Sequence, residues 1–364
     1  MKIKEITKLF ESVAPLSYQE SYDNCGLQIG NPDAEIKAVL LTIDVTEEVV
    51  DEAISIGANL IIAHHPLIFA PLKKITGANY VERSILKAIK NDIAIYAAHT
   101  NFDSITGGVN SKICEKLELK NCSILSPVSG ELKKLVFFVP VDYAQKVREA
   151  IFTAGAGQIG NYDMCSFNIE GNGTFRAGAG AEPFTGKIGM LHSEAETRVE
   201  TIFPKAIQGA VLNALLHSHP YEEVAYDIYP LDNKYKKIGM GMIGKLEQET
   251  DTRVFLEKLK NVFLIKSLKH SAIHKKTINK IAVCGGSGSF LIKQAISANA
   301  DIFITGDVKY HNFFDAENKI IIVDAGHFET EQFTKEIFYD LLIKNFNTFA
   351  VHFSEKNINP INYL

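Results

Sequence analysis

Six short apolar runs, alternating with amphipathic stretches, constrain this chain more than any other feature. Three lie early, at Ala38 to Ile43, Leu60 to Ala63 and Ile93 to Ala98, and three late, at Ile281 to Cys284, Ile302 to Thr305 and Ile320 to Val323. Strand-length runs separated by helical patterns predict strand–helix–strand units and an α/β fold with a largely parallel sheet. The stretch Thr46 to Ala58 shows the intervening pattern. Thr46 can cap, Glu47 and Glu48 suit the positive end of a helix, Val49, Val50, Ala53 and Ile54 make its apolar face, and Gly57 can end it. A late helix is expected around Phe333, Ile337 and Leu341, and an early one around Ile3, Ile6, Leu9, Phe10 and Val13, stopping before Pro15.

Between the two groups of runs the character changes. From about Ser129 to Lys237 the chain is glycine-rich and strand-like, with Leu135 to Val139, a helical stretch Tyr143 to Phe152, and glycines at Gly155, Gly157, Gly160, Gly171, Gly173, Gly178 and Gly180. An inserted α+β domain at 129–237 is expected, splitting the α/β portion into segments 1–128 and 238–364. The length of 364 residues accommodates this, at roughly 100–200 residues per domain.

Composition removes several classes of function. Lysine and arginine total 38 against 43 acidic residues, a balance of −5, so net charge does not support general nucleic-acid binding. The five cysteines are odd in number and form no C-x-x-C pair, which argues against zinc fingers and a secreted disulfide framework and fits reduced thiols. No run approaches the roughly 20 apolar residues of a membrane helix, and the first residues follow helical spacing rather than a signal peptide's apolar block. The expectation is a soluble cytoplasmic protein with no membrane partner.

The polar residues that follow the apolar runs point to a site. His64 and His65 follow the second run, His99 and Asp103 the third, Asp307 the fifth, and Asp324 and His327 the sixth. Ligands of open α/β sheets bind beyond the carboxyl ends of strands, so these groups can converge on one metal centre. Pro66 biases His65 toward extended backbone, where neighbouring side chains point in opposite directions. Two such imidazoles suit two adjacent ions, about 3.5–4 Å apart in known two-metal sites. The other reading is that one histidine binds and its neighbour makes a structural hydrogen bond.

His327 and Glu331, four apart at an expected helix start, share one helical face, and the carboxylate has two oxygens with which to bridge ions. A favourable acid at a helix N-terminus is the alternative. Asp307 and His311 have the same spacing and can act as outer-shell or proton-transfer groups, or as a cap and a surface histidine. Gly285-Gly-Ser-Gly-Ser289 is either a sharp turn or an anion-cradling loop. His217-Ser-His219-Pro with Glu222 and Glu223 reads better as a polar loop than as a second metal site.

The segments Tyr22-Asp-Asn-Cys-Gly-Leu27, Ile62-Ala-His-His-Pro66, Tyr96-Ala-Ala-His-Thr-Asn-Phe-Asp103, Val283-Cys-Gly-Gly-Ser-Gly288, Thr305-Gly-Asp307 and Asp324-Ala-Gly-His-Phe-Glu-Thr-Glu331, in this order, resemble the NIF-three-like family. This is the interacting-factor-three group, whose members are called homologues of GTP cyclohydrolase one type two. The middle segment, with Gly155-Ala-Gly-Gln-Ile-Gly160 and His217-Ser-His-Pro-Tyr-Glu222, is similar to the PII/CutA-like domain of longer members.

The resemblance implies two related α/β subdomains forming the NIF-three-like fold, interrupted by an α+β ferredoxin-like insert, and a ring-shaped homohexamer. It also implies a dinuclear centre in which His65 and Asp103 hold one ion, His64 and His327 the other, and Glu331 bridges. Three protein ligands per ion leave open positions, as catalytic sites do. Nitrogen and oxygen donors suit two divalent ions of zinc, iron, manganese or cobalt without selecting among them. The implied activity is a metal-dependent hydrolase of a small molecule, with GTP ring opening as the named precedent and His99 and Asp307 as candidate proton movers. The competing expectation is a non-catalytic metal-binding regulatory or scaffold protein whose insert senses a ligand or partner.

Overall fold

The computed structural model describes residues 1–356 and 359–362. The chain forms two compact units, one of residues 1–127 and 236–364, the other of residues 128–235.

The larger unit is built on two sheets. In the five-stranded sheet the order is Gly26–Ile29, Ala94–Ala97, Leu60–Ala63, Ala38–Thr42, Ala350–Phe353. All neighbours are parallel except the antiparallel edge strand Gly26–Ile29. The six-stranded sheet has the order Lys269–His270, Ile321–Asp324, Ile302–Gly306, Thr277–Ser287, Tyr235–Asp251, Lys120–Val128. Its parallel centre is the Thr277–Ser287, Ile302–Gly306 and Ile321–Asp324 trio. All six expected runs are strands. Sheet membership, however, crosses the sequence segments: Ala350–Phe353 pairs with Ala38–Thr42, and Lys120–Val128 joins the later sheet. Each sheet thus takes one edge strand from the other part of the chain.

The strands are apolar along their length because both faces are covered. Val39, Leu41, Leu60 and Ile62 face a core shared with Ile281, Val283, Ile302 and Ile304 of the other sheet, while Leu40, Ile61 and Ile95 face a second cluster with Val49 and Val50. Helices supply the cover. Ile3–Val13 and Thr334–Asn345 contribute Phe10 and Phe338, whose rings lie 5.4 Å apart by centroid, and both contact Phe102. Helix Glu47–Ser55 is capped as expected, Thr46 Oγ1 accepting from the Val49 N–H at 3.4 Å.

The smaller unit runs strand Leu132–Pro140, helix Ala144–Thr153, strands Phe167–Arg176 and Leu191–Pro204, helix Gln208–Ser218 and strand Tyr226–Leu231. Its antiparallel sheet has the order Phe167–Arg176, Leu191–Pro204, Leu132–Pro140, Tyr226–Leu231. This is the β-α-β-β-α-β ferredoxin-like arrangement. Leu135, Phe137, Val139, Val199 and Phe203 pack one face of the sheet against Val147, Ile151, Val211 and Leu215 of the helices.

Candidate metal centre

Strand ends from both sheets of the larger unit meet. Leu60–Ala63 runs into His64 and His65, Ala94–Ala97 into His99 and the short helix Thr100–Asp103, Ile302–Gly306 into Asp307, and Ile321–Asp324 into the helix His327–Glu331. Strand parity continues past Ala63. His64 follows Leu60 and Ile62 toward the shared core and is fully buried, while His65 follows Ile61 and Ala63 and is partly exposed. The two rings still lie 4.9 Å apart by centroid.

The two oxygens of Glu331 face two sets of nitrogens. His64 Nε2 lies 3.6 Å from Glu331 Oε1 and 3.8 Å from Asp103 Oδ1. His65 Nε2 lies 2.9 Å from Glu331 Oε2, His327 Nε2 lies 3.2 Å from the same oxygen, and the two Nε2 atoms are 3.3 Å apart. These distances bring His64 beside Asp103 and His65 beside His327, a different arrangement from the His65–Asp103 and His64–His327 division that the resemblance implies. The cause is the fixing of each ring by its other nitrogen. His64 Nδ1–H donates to Ala98 O at 2.9 Å and His65 Nδ1–H to Asp44 Oδ1 at 2.8 Å, so the two Nε2 atoms aim at different oxygens of Glu331.

This donor set fits divalent cations. A neutral imidazole that donates from Nδ1 presents a lone pair at Nε2. In their neutral forms His64, His65 and His327 would all do so, the last by donating to Asp307 Oδ2 at 2.7 Å. Ligating histidines characteristically donate their second N–H to a carboxylate or backbone carbonyl in this way. Ligand atoms about 2.1 Å from a shared tetrahedral ion lie about 3.4 Å from one another, close to the spacing among His65, His327 and Glu331. His64 Nε2 and Asp103 Oδ1 are buried with no hydrogen-bond partner among the described residues, an arrangement that a cation resolves.

Without a metal, the electrostatics hold protons on two of these rings. Burial opposes a charged His65, but its hydrogen bonds to Asp44 and Glu331 outweigh that and push it up to about 10. His327 is likewise opposed by burial and raised to about 9 by Glu331 and Asp307. Burial also works against ionised Glu331, yet the surrounding imidazoles of His64, His327 and His65 hold it well below the usual carboxylate range. Asp103 is pushed up by burial and by the neighbouring Glu331 charge.

His99 stands at the edge of the cluster. One of its nitrogens lies within 4.8 Å of ligand atoms of His64 and His65, and its Nδ1 contacts Asp23 Oδ1 at 2.8 Å. Asp23 also accepts from the Thr100 N–H and hydroxyl. Burial resists its ionisation, but His99 and Thr100 hold it well below the usual range. Neither Asp44 nor Asp23 is among the residues that sequence pattern singles out for the site. Asp44 follows the carboxyl end of Ala38–Thr42, the same position that singled out the histidines, whereas Asp23 lies in a loop with no periodic signal.

The remaining candidates resolve locally. Asp307 faces His327, while the exposed His311 contacts the rings of Tyr310 and Phe314. The 285–288 glycines form the irregular end of strand Thr277–Ser287 rather than an anion cradle, because their N–H groups are already used: Gly285 donates to Asn110, Gly286 to Thr330 and Gly288 to Thr305. Gly286 has φ +60°, and a Cβ there would lie 2.2 Å from Glu331 Oε1, so this irregular strand end leaves room for the carboxylate. In the insert, His219 bonds the backbone at both nitrogens, to Phe138 O and the Tyr221 N–H, and His217 bonds Asn213 O.

Among the described residues no helix is long and apolar enough to cross a membrane. The model of one protein family, Duf34/NIF3 (NGG1p interacting factor 3), matches residues 1–360. A Bacillus subtilis protein named GTP cyclohydrolase 1 type 2 homolog is 42% identical over 367 residues, covering 99% of this chain and 98% of that one. A Halalkalibacterium halodurans protein of the same name is 44% identical over 324 residues, 88% of this chain and 87% of that one. Among solved structures, a Bacillus cereus protein related to NIF3 superposes with a TM-score of 0.88 at 43% identity, covering 100% of this chain and 99% of that one. With a family model and full-length relatives both spanning nearly all of its residues, the chain belongs to the Duf34/NIF3 (NGG1p interacting factor 3) family.

Proposed function

We propose that this protein is a dinuclear metal-dependent hydrolase of a small molecule, nucleotides included. The observation that carries the reading is the set of three imidazoles, each locked at Nδ1 by Asp44, Asp307 or Ala98 O and each aiming Nε2 at Glu331 or its surroundings. His64 and Asp103 would hold one ion, His65 and His327 the other, with Glu331 shared. Bound zinc, iron, manganese or cobalt would supply Lewis-acid activation of water and of an electrophilic carbon or phosphorus.

The chain's own groups do the rest. Asp44 and Asp307 hold the tautomers of His65 and His327. His99, oriented by Asp23, stands beside the cluster where it can take a proton from an attacking water or deliver one to a leaving group. The names of the relatives support opening of the GTP purine ring as the first substrate to try. A homohexamer in the cytoplasm is the assembly and location that accompany this reading.

Metal-loaded protein assayed against nucleotides and phosphoesters tests the proposal. Turnover that disappears in a folded His65→Ala variant supports it, and metal binding without turnover across the panel favours the regulatory alternative.

A further inference from the structure

The smaller unit carries a cavity that the metal chemistry does not use. Opposed residues of an antiparallel sheet share a face. The register therefore puts Phe138, Ile169, Gly171, Gly173, Phe175, Glu196 and Arg198 on the face away from the helices. Over part of this face lies a cavity of about 690 Å³, within the usual range for small-molecule sites. Segments 177–185 and 221–225 help to line it. This cover is tied down, since the Glu182 N–H donates to Glu222 Oε1 at 2.9 Å and Thr185 Oγ1 to Glu194 Oε2 at 3.0 Å.

Two features define what would fit. The first is a buried carboxylate. Glu196 is 9% exposed; its Oε1 accepts from Tyr221 Oη–H at 2.8 Å, and its Oε2 lies where a Cβ on Gly173 would collide at 2.1 Å. Gly171 and Gly173 leave the sheet bare around this carboxylate. The second is the aromatic wall. Phe175 and Phe184 approach the Tyr221 ring at 6.3 and 6.1 Å, and Phe138 stands across the sheet.

The lining charge is predominantly acidic. Glu170, Glu196, Glu222 and Glu223 stand against Arg176 and Arg198, and the Arg198 guanidinium is engaged by Glu200 at 2.9 Å and by the Phe138 ring. An anionic ligand would meet the buried carboxylate without a free buried cation. The lack of a basic track also sets this face apart from aromatic sheet faces that bind single-stranded RNA.

We infer that this cavity binds a small molecule bearing a protonated amino group on an aromatic-sized apolar body. The ammonium would donate to Glu196, and the body would lie against Phe138, Phe184 and Tyr221, where ring faces also attract cations. This site stands independently of the metal reading.

Calorimetric titration of the full-length protein with 2-phenylethylamine and tryptamine tests it, with 2-phenylethanol and phenylacetate as neutral and anionic controls of similar shape. One amine is expected to bind at one site per chain, with the controls at least about tenfold weaker, the difference expected when a charge-assisted hydrogen bond is lost. Glu196→Gln should weaken the amine by a similar factor while leaving circular dichroism and metal content unchanged. Phe184→Ala, on the covering segment, should weaken it without altering the preference for amine over alcohol. Failure of both amines to bind at millimolar concentration, equal binding of the alcohol, or unchanged affinity in folded Glu196→Gln protein would each overturn the assignment.

Discussion

His65 and His327, more than 250 residues apart in sequence, meet through their Nε2 atoms at 3.3 Å, each with its Nδ1 held by an aspartate. Two neutral rings held this way would turn lone pairs toward each other and toward Glu331. The contact becomes favourable once positive charge lies among them.

Metal affinity should rise with pH. His65 and His327, held up to about 10 and about 9 by their carboxylate partners, must lose protons before their Nε2 atoms can bind a cation. Titrating the metal-free protein with zinc at successive pH values should show tighter binding as pH rises from neutrality. Buffers of different ionisation enthalpy should report protons released on binding. A pH-independent affinity would count against these histidines as ligands.

Asp44→Asn and Asp307→Asn should each lower metal affinity by about 10–100-fold, the usual cost of losing a partner that orients a ligand. Both positions are substantially exposed at the side chain, so the fold should survive. Metal content after dialysis against a weak chelator, with circular dichroism alongside, checks this.

Asp103→Asn should stabilise the metal-free protein above neutral pH while weakening metal retention. The folded-state value of Asp103 is raised, to about 7, by burial and by Glu331. The sign follows from linkage: its favourable contribution is fully present below the ordinary carboxylate value near 4 and is lost as pH rises through 7. Asparagine removes the burial cost of the anion. A gain of about 1 kcal/mol, roughly 2 °C in melting temperature, is expected at pH 8 and should vanish near pH 4. Thermal melts of chelator-treated protein at both pH values measure it.

Gly286→Ala should impair the metal centre more than Gly107→Ala. Both glycines have positive φ, so each substitution carries a strain cost of about 1–2 kcal/mol. Only at Gly286 would the added carbon strike Glu331 Oε1, whereas nothing lies within 4 Å of the Gly107 position. Equal metal content in the two variants would show that Gly286 does not position Glu331.

Much of the larger unit is legible in the sequence because its strands are covered on both faces and so appear as unbroken apolar runs. Leu60 to Ala63 is a strand with the expected ends, and the other five expected runs differ from the observed strands only at their boundaries. The His327–Glu331 spacing also survives, since it depends only on the period of a single helix. The edge strands are less legible. Ala350–Phe353 is short and mostly exposed, and nothing in its own residues says that it pairs with Ala38–Thr42, more than 300 residues earlier.

By itself, the sequence determined the kinds of element, their order, and which polar residues stand at the carboxyl ends of strands, because these depend on local periodicity and composition. The tertiary structure decided how each sheet takes an edge strand from the other part of the chain, that Asp44 and Asp307 lock the imidazoles, and that His64 Nε2 lies near Asp103 while His65 Nε2 lies near His327. Those outcomes depend on distances between residues remote in the chain, and on which nitrogen of each ring the surrounding backbone and carboxylates occupy first.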